Sequence, residues 1–323
     1  MFLNIAGAFP NAVTARLLVN MVRLGYPTQL ISFFEAVLAD RQTVLSFDGY
    51  VSEAFEIDNG IGQGEPSSTI LYLIYSHALM GIPPTCGGDG GAYVDDNFFT
   101  AVGDTFEECD TKINSMLDKQ EIWSVAHNSH AELSKFRCIR LTRHTNIHRL
   151  DFQRMGSGTT IKCSTSTHLL SVEVDQELCW HHHTQLAVAK GVALLHAANR
   201  LTRPSFGLPA HHVRCIYKAV VLPKMEYALP IWYMPVKPTT PDHWATGSVQ
   251  HTQELEKVQR LACKLITGTF LTTATDITEL HAHVPPVALH LADSCHQEAL
   301  CLCTLPKTHP LSGPTLKASR SLP

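Results

Sequence analysis

Two adjacent acids, Asp95 and Asp96, sit between apolar and glycine-rich runs in Gly90-Gly91-Ala92-Tyr93-Val94-Asp95-Asp96-Asn97-Phe98-Phe99. Apolar residues on both sides of a short acidic turn predict a β-hairpin with two carboxylates at its tip. Such a pair repels itself unless a cation lies between the two groups. Mg²⁺ takes carboxylate oxygens of this kind and completes its shell with phosphates and water. The chemistry that fits the tip is therefore nucleotidyl transfer. An isolated Asp-Asp is also ordinary in polar turns, so the reading rests on the neighbouring blocks.

A tip of this kind needs a sheet with one covered face to position it. Residues 2–8 read as a short buried strand, small and apolar. A helix is predicted from Thr14 to Leu24, with Leu17, Leu18, Met21 and Val22 on one face and Gly25 as its stop. A second runs from Thr28 to Leu38, striped by Leu30, Ile31, Phe34, Val37 and Leu38. Asp48-Gly49 between two β-rich segments is a strong hairpin signal. Ser67 or Ser68 is the expected cap of a helix reaching about Met80. Thr105-Phe106-Glu107-Glu108 has capping-box spacing and opens a helix to about Trp123. Short β-rich segments follow at 136–142, 159–163 and 168–174, with Gly156-Ser157-Gly158 as a turn. Helical patterns return at about 184–200, 210–222 and 252–266, around a Pro/Thr-rich loop from Pro235 to Gly247. The last ~20 residues are expected to fray. This order predicts an α+β fold, an antiparallel sheet backed by helices, followed by a mainly helical region.

The chain has 323 residues, 45% hydrophobic and only 17% charged, a composition that buries a core and excludes disorder. No apolar run reaches the ~18 residues of a membrane span. The start, Met1-Phe2-Leu3-Asn4, lacks a basic signal region. An intracellular protein with no membrane partner is expected. The ten cysteines are scattered and read as reduced core residues. His181-His182-His183, and Cys301-x-Cys303 with His290 and His296, match no usual zinc spacing. Charge is segregated. Residues 1–134 carry 5 Lys/Arg against 17 Asp/Glu, residues 135–232 carry 13 against 5, and residues 233–323 carry 7 against 7. An acidic segment followed by a basic one suits a protein that holds metal in one part and phosphate backbone in another.

Three blocks in chain order resemble motifs A, B and C of a reverse transcriptase, most closely the non-LTR (LINE-like) retrotransposon enzymes. They are Phe2-Leu3-Asn4-Ile5-Ala6-Gly7-Ala8-Phe9-Pro10, Gly60-Ile61-Gly62-Gln63-Gly64-Glu65-Pro66-Ser67-Ser68, and Tyr93-Val94-Asp95-Asp96. The resemblance implies a polymerase-type palm with a residual fingers hairpin and primer-grip-like strands over 1–178. A helical thumb over 179–235 follows, then a linker, connection helix and tail over 236–323. It implies an RNA-directed DNA polymerase, monomeric, working on an RNA template and DNA primer with deoxynucleoside triphosphates and a two-metal Mg²⁺ site.

The implied roles fall on individual residues. Asp95 and Asp96 would hold metal. Asn4 stands where the family has its motif A aspartate, which weakens the third metal contact. Phe9, five residues later, would exclude a 2′-hydroxyl, and Gln63-Gly64 would bring backbone close to the incoming nucleotide. Lys135 resembles the motif D lysine beside the departing pyrophosphate. Ser171, in His168-Leu169-Leu170-Ser171-Val172, takes the place of the primer-grip glycine. Lys218 and Lys224 would face nucleic-acid phosphates. Leu255–Arg260 and Thr267–Phe270 resemble the connection that follows the thumb in many such elements. Since the pattern starts at motif A, the fingers are expected to be largely missing. The expected product is a truncated, catalytically impaired polymerase. The alternatives are a non-catalytic nucleic-acid-binding remnant and an unselected, pseudogene-like fragment.

Overall fold

The computed structural model describes residues 1–131, 135–142, 151–155, 158–203, 206–237 and 245–313. It is mixed α and β, 51% helical and 15% strand, with small antiparallel sheets. The chain divides into two compact units, Met1–Leu170 and Ser171–Pro323. The expected segments on either side of Pro235 share one core in the second unit, which joins Tyr217, Val221 and Met225 to Leu255, Val258 and Ile266.

The first unit begins with β1 (Phe2–Asn4), α1 (Thr14–Arg23), α2 (Thr28–Leu38), β2 (Gln42–Thr43), β3 (Ser46–Phe47), β4 (Tyr50–Val51) and β5 (Phe55–Glu56). It continues with α3 (Pro66–Ser76), α4 (Ile82–Thr85), β6 (Gly88–Tyr93), β7 (Asp96–Ala101), α5 (Phe106–Ala126), β8 (Phe152–Gln153), β9 (Thr160–Ile161) and β10 (Ser166–Leu169). The predicted strand over 2–8 ends at Asn4, because Gly7, with φ +61°, turns the chain. Its carbonyl then accepts the Asn11 N–H at 3.0 Å. Asp48 and Gly49 take φ of +47° and +79°, the two left-handed positions of a tight hairpin turn. Pro66 opens α3 with its fixed φ, and no serine side chain caps that helix, contrary to expectation. At α5 the Thr105 hydroxyl accepts the Glu108 N–H at 3.2 Å, as the capping-box spacing predicts. The Glu108 carboxylate, however, accepts the N–H of Asp104 rather than that of Thr105. The predicted strand over 136–142 is reduced to bridges at Arg137 and Cys138.

Strands β1, β7 and β6 form an antiparallel sheet in that order. Leu3 on β1 and Asn97 and Phe99 on β7 point into the core, which places Phe2, Asn4, Asp96 and Phe98 on the opposite face. Helix α5 packs on β7 and α4 on β6. A run of rings extends the core: Phe9 to Tyr72 at 5.3 Å, Tyr72 to Tyr75 at 6.0 Å, Tyr75 to Trp123 at 6.2 Å, and Trp123 stacked on His127 at 4.5 Å. Burial holds the His127 imidazole below its ordinary pKa.

The second unit contains β11 (Val172–Asp175), α6 (His181–Asn199), β12 (Thr202–Arg203), β13 (Phe206–Gly207), α7 (Ala210–Ile216), α8 (Leu222–Met225) and α9 (Leu229–Trp232). It ends with α10 (Val249–Thr267), α11 (Thr275–Ala282) and α12 (Val287–Cys303). Helix α10 is its spine and packs against α6, α7, α11 and α12. Between α7 and α8, residues Tyr217–Val221 widen into a π-helix, and the Leu222 N–H bonds the Tyr217 carbonyl five residues back. Pro223 explains the widening. It has no N–H to give Ala219, and its ring would strike that carbonyl in a regular helix. Residues 314–323, about half of the stretch expected to fray, lie outside the described residues.

Candidate functional site

The register of β1 against β7 sets Asn4 directly opposite Asp96. Residues so paired have Cα atoms about 4.5–5.5 Å apart and side chains on one face. Tyr93 pairs with Asp96 from the other side. Asn4, Asp96 and Tyr93 thus form one row on the face opposite Leu3 and Phe99. The next row is Phe2, Phe98 and Gly91, with the two phenyl rings 6.4 Å apart. A Cβ at Gly91 would lie 2.6 Å from the Phe98 ring, so the glycine makes room for that ring.

The turn is Val94-Asp95, one residue earlier than a pair of acids at the tip would require. Val94 adopts φ +58°, a costly conformation for a β-branched side chain. Asp96 is therefore the first residue of the return strand, and Asp95 belongs to the turn. The Asp95 carbonyl accepts the Ile5 N–H at 3.2 Å and the Asn97 amide at 2.9 Å, which fastens the turn to the end of β1. Burial raises the pKa of the Tyr72 hydroxyl, and the charge of nearby Asp95 adds to the effect. That hydroxyl is buried and makes no hydrogen bond among the described residues.

Phe9, Gln63 and Gly64, the expected nucleotide contacts, line one open pocket of about 470 Å³ with Glu65, Pro66, Ser68 and Thr69. The loop carrying Gln63-Gly64 is anchored to the chain after β1. The Gly60 N–H bonds the Ala12 carbonyl at 2.7 Å, and the Ile61 N–H bonds the Phe9 carbonyl at 2.8 Å. Gly60, at φ +94°, has no room for a side chain, since a Cβ would lie 2.8 Å from the Pro10 carbonyl oxygen. Arg41 ties the same loop down through the Gly60 carbonyl at 2.7 Å. Sequence reasoning missed Ser68 as a pocket residue and read it only as a cap. Ser68 lines the pocket, and its buried Oγ lacks a hydrogen-bond partner among the described residues. The available signal was its position four residues before Tyr72, one helical turn along α3.

Lys135 is exposed and lies two residues before Arg137, which meets the other edge of β1. Arg137 is bridged to Phe2 of β1, and Ala131 to Ile5 just after that strand. No protein-family model matches the chain, and no curated protein matches it.

In the second unit, Lys224 and Lys190 line a pocket of about 430 Å³ with Ser171, His183, Pro223 and Tyr227. The exposed Lys218 is not part of that lining. Its charge is instead felt by His290, whose pKa is raised by Glu226 at 2.8 Å. Two lysines expected to act together thus have different surroundings. Among the described residues, no three His, Cys, Asp or Glu side chains converge as a metal-holding group, and no helix is long and apolar enough to cross a membrane.

Proposed function

We propose that Met1–Leu170 is the palm of an RNA-directed DNA polymerase of the non-LTR retrotransposon type, impaired by Asn4, and that Ser171–Pro323 corresponds to its thumb and connection. One observation carries this reading. The two blocks that the resemblance assigns to the metal site, some 90 residues apart, are paired strand to strand with Asn4 opposite Asp96. The Phe9, Gln63 and Gly64 pocket, with its unpartnered Ser68 hydroxyl, supports a nucleotide as ligand.

The donors suit a hard cation in kind: two carboxylates, Asp95 and Asp96, and the amide oxygen of Asn4. When bound, Mg²⁺ would neutralise the triphosphate and activate the attacking 3′-hydroxyl. The chain's own part is positioning. The β1–β7 register holds Asn4 beside Asp96, the Gly60-anchored loop presents Gln63-Gly64, and Phe9 walls the pocket where the sugar would lie. A neutral amide in place of a carboxylate removes one charge that would balance the metal. Losses of one such electrostatic contact cost about 10²–10³ in rate.

The test is primer extension on an RNA template with Mg²⁺ and with Mn²⁺. The unmodified chain should be nearly inactive and Asn4→Asp should extend about 10²–10³-fold faster. Asp96→Asn should abolish the gain. Equal rates for the unmodified chain and Asn4→Asp, or indifference to Asp96→Asn, would overturn the reading. A second reading, a non-catalytic binder of nucleic acid, is favoured by the neutral Asn4 together with the open pocket that carries Lys190 and Lys224. It requires salt-dependent binding of a primer–template duplex, weakened by Lys224→Ala, with no extension even by Asn4→Asp.

A further inference from the structure

Cys138 and Cys163 occupy opposite positions on a bridge between two segments of the first unit that run parallel. The Ser164 N–H bonds the Cys138 carbonyl at 2.8 Å and fixes that alignment. Neighbouring extended segments lie about 4.7–4.9 Å apart. A disulfide needs Cα atoms about 4.4–6.8 Å apart, with side chains on the same side. The pairing meets both demands. The two thiols are reduced and hydrogen-bonded to each other. Cys138 is buried in the core, whereas Cys163 is only partly covered. Cys163 is thus the more accessible residue of the two.

The charges around the pair are unequal. The Arg140 guanidinium lies beside Cys163, with its side chain only 5% exposed. Asp110 at 2.9 Å and the Phe106 ring at 4.7 Å hold it there. The Asp151 carboxylate accepts the Cys163 N–H at 3.1 Å. The hydrogen bond from Cys138, with Arg140 adding to it, lowers the Cys163 thiol pKa despite burial. The same bond, and then burial, raise that of Cys138. Thiolate character at the more accessible of two neighbouring thiols is the arrangement of a redox-sensitive cysteine.

We propose that Cys138 and Cys163 form a peroxide-responsive thiol pair, with Cys163 as the attacking sulfur and Cys138 as the resolving one. The Cys163 thiolate attacks one oxygen of hydrogen peroxide. The O–O bond breaks, and the departing hydroxide takes a proton from solvent to become water. Cys163 is then a sulfenic acid. Cys138 gives up its proton and attacks the Cys163 sulfur; the S–O bond breaks, a second water leaves and the disulfide forms. Two thiols are oxidised and one peroxide is reduced to two waters. Because Arg137, next to Cys138, is bridged to Phe2, the disulfide would clamp the edge of β1 close to Asn4.

The experiment uses the full chain. Limiting iodoacetamide at neutral pH, read by peptide mapping, should label Cys163 roughly tenfold faster than the exposed Cys215, Cys301 and Cys303. Sub-stoichiometric peroxide should then give one cross-linked peptide pair containing Cys138 and Cys163. In Cys138→Ser the reaction should stop at a sulfenic acid on Cys163, trapped by dimedone. The alkylation and cross-link measurements use the unmodified chain, so they stand even if that variant fails to fold. Labelling of Cys163 no faster than the exposed cysteines, or peroxide products lacking the 138–163 link, would overturn the proposal.

Discussion

Asn4 meets Asp96 because two strands pair in one register, whereas Tyr217 meets Gln259 because two helices pack. In the first unit the row through Asn4 and Asp96 is written by the backbone: slipping β1 by one residue would turn Asn4 into the core and Leu3 out of it. In the second unit the buried polar contacts are made by side chains. The Tyr217 hydroxyl donates to Gln259 at 3.0 Å, and the Gln259 amide donates to Glu279 at 2.7 Å and to the Pro285 carbonyl at 2.9 Å. A sheet therefore keeps its site through changes of side chain so long as register holds. A helical core keeps its polar contacts only while each partner remains.

The largest effect expected from this contrast comes from Phe99, fully buried on β7 on the face opposite Asp96. Phe99→Ala should cost about 3–5 kcal/mol in urea denaturation. It should also loosen the β1–β7 pairing, seen as faster hydrogen exchange at Leu3 and Asn97. Unchanged protection there would break the claim that the sheet core sets the site. Next in size is Gln259→Leu, which leaves the Tyr217 hydroxyl and the Glu279 carboxylate without that partner. A loss of about 1–3 kcal/mol is expected. A neutral result would show that the helical network is dispensable and would erase the contrast. The smallest effect belongs to Ser171→Gly. Ser171 is exposed at φ +69°, where a glycine has no Cβ to strain, so the variant should gain about 1 kcal/mol in thermal unfolding. A loss of stability would mean that the serine side chain is held by something worth more than the strain.

Ser171 also illustrates what could be read from sequence. The resemblance places a glycine there, and the backbone adopts a conformation that favours one, so position and physical reason agree. Helices α1 and α2, the Asp48-Gly49 turn and the Thr105 cap were legible for the same reason: each is set by neighbours within a few residues. The features that were not legible depend on distant packing. Val94 at φ +58° defies local preference, so the turn could not be placed on Val94-Asp95 from propensity alone. Residues 136–142 read as a strand but pair only at Arg137 and Cys138, with Phe2 and Cys163. Helices α11 and α12 were not expected, because their apolar positions, among them Ala282, Val287 and Leu291, gain meaning only against α10 and its neighbours. Within the site, Phe9, Gln63 and Gly64 were named by the motif resemblance, and they line one pocket. Ser68 was not named, because its importance lies in an unused hydroxyl that only the packed structure reveals.

The widened stretch Tyr217–Val221 works as a phase shifter. One surplus residue in a turn rotates everything after it by about 100° relative to a regular helix. Pro223, Lys224 and Tyr227 all follow it and all line the second unit's pocket. The aim of that lysine is thus decided by a ring that lacks a proton, one residue upstream. Lineages that exchanged Pro223 for an ordinary residue would free the spiral to tighten and swing Lys224 aside, altering the pocket's charge without touching the lysine itself.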